Sequence, residues 1–220
     1  MTKNILLVSA FLMTALSISA QSEVGKVSIY PRIGINRSNI TNNSLYTSAA
    51  EDASSINSKR KTGLVIGAEM EYQWSKGVSY SGGLMYSIQG YRYDDLEVSH
   101  TPKEVFKNYK EHMHYIIMPL MINLYVYKNL AIKGGLQLGY LISTYSKYED
   151  VTENSTQRYN SNGMIYNKLD LSIPVGISYE YQKVVLDLRY DVGLTNTNKY
   201  ASWKSKNNVI MMTLGYKIEL

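Results

Sequence analysis

Cysteine is absent from the 220 residues. That absence removes disulfides, thiolate metal sites, thiol nucleophiles and a lipid-modified N-terminal cysteine together. Phenylalanine and tryptophan occur only 2 times each. No apolar run reaches the roughly 20 residues that a helix needs to cross a bilayer, which excludes a helical membrane protein. No Pro/Gly/Ser-rich linker divides the chain. The formal charge of +5 is spread without a basic block, so nucleic acid is not expected as a partner. No motif asks for a cofactor or a metal.

What the chain does have is tyrosine, 21 residues of it. A ring with a wet tip suits a boundary between oil and water better than a dry core. The first twenty residues stand apart. Lys3 and the initiator amine form a positive start, Ile5 to Leu16 an apolar run, and Ser17-Ile18-Ser19-Ala20 a small-residue exit. That order describes a secretory signal peptide, with cleavage after Ala20 or after Ser19. The expected division is a leader over 1–20 and one domain over 21–220.

Beyond the leader the chain alternates with a period of two. Val184, Leu186, Leu188, Tyr190, Val192 and Leu194 oppose Val185, Asp187, Arg189, Asp191 and Gly193. Ile210 to Leu220 and Leu169 to Tyr181 repeat the pattern, and a period of two places one set on each face of a sheet. Eight strands are predicted, over Val27–Asn36, Thr62–Trp74, Val78–Tyr91, His114–Tyr127, Leu130–Tyr145, Tyr166–Tyr181, Val184–Leu194 and Asn208–Leu220. Tight turns at Ser75-Lys76-Gly77, Lys128-Asn129 and Gln182-Lys183 alternate with the long links Arg37–Lys61, Arg92–Met113, Ser146–Ile165 and Thr195–Asn207. Short turns on one rim and long loops on the other define an up-and-down transmembrane β-barrel.

Alternation alone permits two inside-out solutions, and a soluble barrel would hide the aliphatic face. Glycines on the polar face (Gly34, Gly67, Gly83, Gly135, Gly139, Gly176, Gly193, Gly215) fit a crowded lumen instead. Tyr72, Trp74, Tyr80, Tyr179, Tyr181 and Tyr216 gather on the apolar face near the short-turn rim, as a headgroup girdle does. The fold expected is therefore an all-β, eight-stranded antiparallel barrel in the outer membrane. Its interior carries Glu69, Glu71, Asp170, Glu180, Asp187, Asp191 and Glu219 against Arg32, Lys133, Arg189 and Lys217. Sealed in, these charges must pair, and an eight-stranded lumen holds only its own side chains. A plugged barrel with an internal salt-bridge network is expected.

The last eight residues resemble the C-terminal signal read by the barrel-assembly machinery, carried by Thr213, Gly215, Ile218 and Leu220. Tyr115-Ile116-Ile117-Met118-Pro119-Leu120 and Leu169-Asp170-Leu171-Ser172-Ile173-Pro174-Val175 resemble paired strands of the PorT-like family of small outer-membrane barrels. Gly134-Gly135-Leu136-Gln137-Leu138-Gly139-Tyr140 is similar to that family's fifth strand. The resemblance spans essentially the whole mature chain and implies an outer-membrane barrel without an agreed activity. The two prolines, each deleting a ladder hydrogen bond, suggest bulges.

His100, His112 and His114 lie in or beside the second long link. His112 and His114 would share a face, but no third ligand and no Ser–His–acid order accompanies them, so no metal or catalytic site is assigned. Lys59-Arg60-Lys61, where the first long link re-enters the barrel, is the candidate contact for lipopolysaccharide phosphates. Lys103, Lys107, Lys110, Arg158, Lys199, Lys204 and Lys206 add loop cations whose other reading is plain solubility. The expected partners are outer-membrane lipid and lipopolysaccharide, the barrel-assembly machinery during biogenesis, and a protein complex of the envelope. The expected function is a non-enzymatic structural or partner-binding barrel; a lipid-modifying barrel enzyme and a narrow porin-like channel are the competing readings.

Overall fold

The computed structural model describes residues 23–46, 55–94, 96–100, 103–150, 155–160, 165–199 and 204–220. Residues 1–20, where a leader is expected, and residues 47–54 of the first long link lie outside them.

Eight long strands follow in order: β1 Val27–Ile40, β2 Lys59–Ser75, β3 Val78–Arg92, β4 Lys103–Tyr127, β5 Leu130–Asp150, β6 Leu169–Tyr181, β7 Val184–Gly193 and β8 Asn207–Tyr216. Each pairs antiparallel with the next. β8 pairs back onto β1 and closes the ring, and Ile218–Glu219 prolongs that seam. Closure matters because hydrocarbon offers no hydrogen bonds to a free strand edge. Among the described residues no helix is long and apolar enough to cross a membrane.

The period of two resolves as expected, except at Glu219, which is exposed at the end of the seam instead of facing the lumen. Outward positions form a continuous apolar belt, with Ile33, Leu84, Leu120, Leu136, Ile177 and Leu214 all exposed, while Arg32, Glu69, Lys133, Asp187 and Arg189 are buried. A soluble barrel would reverse this, since each Leu or Ile moved from water into oil gains about 1.5–3 kcal/mol. At the short-turn rim Trp74 meets Tyr72 and Tyr80 edge to face, at 6.4 and 6.2 Å. Gln182 and Lys183 both adopt positive φ, +47° and +69°, the backbone of a two-residue type I′ hairpin.

Three expectations are corrected. First, neither proline makes a bulge: the register to the neighbouring strands is unchanged on the two sides of Pro119 and of Pro174. A strand residue directs its N–H at one neighbour only, so each proline interrupts one ladder locally and leaves the other intact. Second, the link Arg92–Met113 is largely strand. β4 runs for 25 residues and β5 for 21, and with Leu96–His100 and Ser155–Asn160 on their flanks they build a four-stranded blade above the barrel. Conversely, β6 starts at Leu169, and Tyr166 lies outside it, in an isolated bridge to Asn198. Third, the lumen is layered and not uniformly polar. Its upper part is a cluster including Ile40, Val65, Met85, Met113, Tyr115, Ile117, Leu141 and Met211.

Candidate functional site

The middle of the lumen is crossed by ion pairs. Arg32 of β1 lies 2.7 Å from Glu69 of β2, and Arg189 of β7 reaches the other Glu69 oxygen at 2.5 Å. Lys133 enters from β5, across the ring from β1, to 2.7 Å from Asp187 and 3.8 Å from Glu69. Arg189 Nε also donates to Asp187 at 2.5 Å. Asp191, on the same face, accepts from Gln137. Glycines make room for these side chains. A Cβ on Gly83 would fall 2.6 Å from Glu69 Cγ, and one on Gly176 3.1 Å from Arg189 Cγ. Below, Lys217 pairs with Glu180 at 3.1 Å, and Glu71 accepts from Ser79 and Tyr125.

Above the belt, the hydrogen-bond ladder between β2 and β3 has an opening, although the strands stay in contact: a Cβ on Gly63 would fall 1.7 Å from Ile88 O. The register shifts between Arg60 and Val65, and side chains replace the missing ladder bonds. Asn36 Nδ2 donates to Ile88 O, Lys61 Nζ to Gln89 O, and Ser38 Oγ both donates to Gly90 O and accepts from Gly90 N. Gly90 itself sits at φ +128°, a backbone that only glycine adopts freely. Over this opening lies a groove of about 490 Å³ lined by Arg37, Arg60, Lys61, Thr62, Arg92, Lys110 and His112. Among the described residues its lining holds five cations, one of which, Arg92, lies 3.7 Å from the Asp94 carboxylate.

The three cations singled out from the sequence separate here. Lys59 is exposed and pairs with Asp94, Arg60 donates to Arg37 O, and Lys61 is buried with its amine on Gln89 O. Burial, and the like charge of Lys110, lower the Lys61 amine to about 8. Lys61 is the buried member of the set, while Arg37, Arg92 and Lys110 are exposed, so the groove gathers like charges along a partly solvated wall. The sequence alone does not assign Arg37, Arg92 and Lys110 to this groove, although each stands on an outward position above the apolar belt.

His112 and His114 do share a face. Both stack on Tyr145, at 4.6 and 5.4 Å between centroids, with the Arg158 guanidinium 3.9 Å from the same ring. Burial first, then Lys61 and the other cations nearby, depress His112 to about 4. His114 Nδ1 is hydrogen-bonded to the Tyr86 hydroxyl. Among the described residues no group of three or more His, Asp or Glu is placed to hold a metal.

At the barrel mouth, tyrosines surround a second cavity of about 330 Å³, lined in part by Tyr91, Tyr93, Tyr109, Glu111 and Tyr166. The alternation puts Tyr91, Tyr93, Tyr109 and Glu111 inward and Arg92 and Lys110 outward.

At the opposite end, Thr213 faces the lumen and takes a hydrogen bond from Arg32. Gly215 sits between Arg32 and Val185 in the ladders. Ile218 and Leu220 face outward and exposed.

Antiparallel closure, an apolar exterior and a salt-bridged interior define a small transmembrane β-barrel. The sequence model of the outer membrane protein beta-barrel domain matches residues 19–199; the chain belongs to that family, whose members reside in the outer membrane. Solved structures similar to it include Ail of Yersinia pestis in complex with the heparin analogue sucrose octasulfate, at 15% identity and TM-score 0.47, covering 89% of this chain and 100% of that one. Neisserial surface protein A is similar at 10% identity and TM-score 0.44, covering 87% and 97%. OprG of Pseudomonas aeruginosa is similar at 12% identity and TM-score 0.41, covering 89% and 97%. No curated protein matches the sequence.

Proposed function

We propose that the protein is a non-enzymatic, closed barrel of the PorT-like kind. It is exported through the leader 1–20 and serves the outer membrane as a structural or partner-binding component. The observation that carries this reading is the ion-pair layer of Arg32, Glu69, Lys133, Asp187 and Arg189, which joins opposite walls of the lumen. A solute would have to break buried pairs to pass, and removing one partner of such a pair costs about 3–5 kcal/mol. With the lumen filled, contacts fall to the outer wall, the mouth and the blade, whose flanking strands present edges of the kind that accept a further strand. Thr213, Gly215, Ile218 and Leu220 would be read by the assembly machinery before the β1–β8 seam closes.

In this reading the groove over the β2–β3 opening holds lipopolysaccharide phosphate. It stands where the outer-leaflet headgroups begin, and guanidinium–phosphate hydrogen bonds contribute about 1.5–3 kcal/mol each. The test uses purified protein in detergent with lipid A and with dephosphorylated lipid A. Retention of phosphorylated lipid A only, lost in the Arg37→Gln/Arg92→Gln variant, is expected. Equal retention of both lipids would remove the phosphate site. Single-channel recordings test the closed lumen: regular conductance steps from the purified barrel would identify a channel. Altered lipid A acylation in a deletion strain would identify an enzyme.

A further inference from the structure

The tyrosine-lined cavity at the mouth contains a carboxylate that the fold leaves half satisfied. Glu111 is 2% exposed. Its Oε2 accepts from Ser146 at 2.6 Å and from Tyr109 at 3.2 Å, whereas Oε1 is buried with no hydrogen-bond partner among the described residues. Lys61, the buried cation of that region, gives its amine to Gln89 O and forms no ion pair with Glu111 within 4 Å. A buried carboxylate oxygen without a donor is costly, and burial raises this carboxyl above its ordinary range.

The walls point to the sign of the missing partner. The Tyr91 and Tyr166 hydroxyls bond each other at 2.8 Å, Tyr93 donates to Asn43 O at 2.8 Å, and Tyr109 is held by Ser146 and Glu111. The Tyr93 and Tyr109 protons are spent and the Tyr91–Tyr166 bond uses one proton of two, so a single O–H of that pair is left and the rest of the lining by these tyrosines is ring surface. Tyr91 and Tyr93 are nearly perpendicular, 77° at 5.5 Å, and Tyr93 and Tyr109 are tilted by 52° at 5.9 Å. Rings at such angles curve round a small volume, and an aromatic face attracts a cation. A cup of about 330 Å³ is at the small end of ligand sites.

We propose that this cup binds a small primary organic ammonium ion. Its N–H groups donate to Glu111 Oε1, and its alkyl part lies against Tyr91, Tyr93 and Tyr109. The site is separate from the groove of cations on the outer wall, which selects the opposite charge.

The experiment titrates folded protein, in a maltoside detergent that carries no ammonium group, with n-butylammonium chloride and with n-butanol as its neutral counterpart. Binding is read by calorimetry and tyrosine fluorescence. Saturable binding of n-butylammonium is expected, with n-butanol weaker by roughly tenfold or more. Glu111→Gln should lose the preference for the cation, and Tyr93→Leu should weaken the cation while leaving Glu111 in place. Slower migration after boiling shows that each variant has folded. The proposal is overturned if n-butanol binds as well as n-butylammonium, if folded Glu111→Gln keeps the preference, or if folded wild type shows no saturation at about 10 mM.

Discussion

Glu69→Gln is the sharpest test of the plugged lumen, because the change is nearly isosteric and alters only charge. In the wild type three cations meet two carboxylates, and each carboxylate touches all three: Glu69 at 2.7, 2.5 and 3.8 Å, Asp187 at 3.9, 2.7 and 2.5 Å. Neutralising Glu69 leaves Arg32, Lys133 and Arg189 sharing Asp187. The cost should approach that of breaking a buried pair, about 3–5 kcal/mol. Arg189→Met acts differently, since it leaves two cations on two carboxylates. Glu69 keeps Arg32, and Asp187 keeps Lys133. The loss is then about one charge-assisted hydrogen-bond set, 1.5–3 kcal/mol, partly offset by relief of the cation surplus. The double variant should cost less than the sum of the two, with a coupling of about 1–2 kcal/mol. Urea unfolding in lipid vesicles, followed by tryptophan fluorescence and by the shift in gel migration on boiling, measures all three. Glu69→Gln within about 0.5 kcal/mol of wild type, or less costly than Arg189→Met, would refute a lumen held by these pairs.

The type I′ turn is built from two non-glycine residues at positive φ, so Gln182→Asn/Lys183→Gly should stabilise the barrel by about 1 kcal/mol in the same unfolding assay. Lys61 loses its proton as pH rises through about 8. Retention of phosphorylated lipid A should therefore be strongest below pH 7 and fall between pH 7 and 9, while Lys61→Met flattens that profile. His112, depressed to about 4, is neutral throughout that range and contributes nothing to it.

The barrel is legible in the sequence because a period of two is imposed wherever one face of a strand meets oil. At Ile33, Ile173, Leu186 and Leu214 the expected faces are the observed ones. Where hydrocarbon ends, so does the constraint. Lys103–Met113 reads as a link because neither face of the blade requires an apolar series. The apolar upper lumen escapes for a related reason: Val65, Met85 and Ile117 lie beside apolar outward neighbours, so the contrast between faces fades. Both rim sites do leave a trace. Tyr91-Arg92-Tyr93 and Tyr109-Lys110-Glu111 continue the ladder beyond Ile88 and Ile116, rings and carboxylate inward, cations outward. The opening between β2 and β3 leaves none, since it depends on which side chains of β1 reach across.

Gly90 is where these two rims meet, which gives it a predictable role. It pairs with His112 beside the outer groove, its N–H and carbonyl are held by Ser38 from inside, and Tyr91 pairs with Glu111. At φ +128° a side chain is strained, and a Cβ would lie 2.0 Å from Glu111 O. Gly90→Val must therefore displace β3 from β4 at that point, while the apolar belt below Ile88 is untouched. Such a variant should still migrate as a folded barrel before boiling, yet lose both lipid A retention on the wall and n-butylammonium binding in the mouth. Loss of only one would mean that the sites are built independently. Retention of both would mean that neither depends on the open seam, and the grouping of Arg37, Arg92 and Lys110 around it would carry no functional weight.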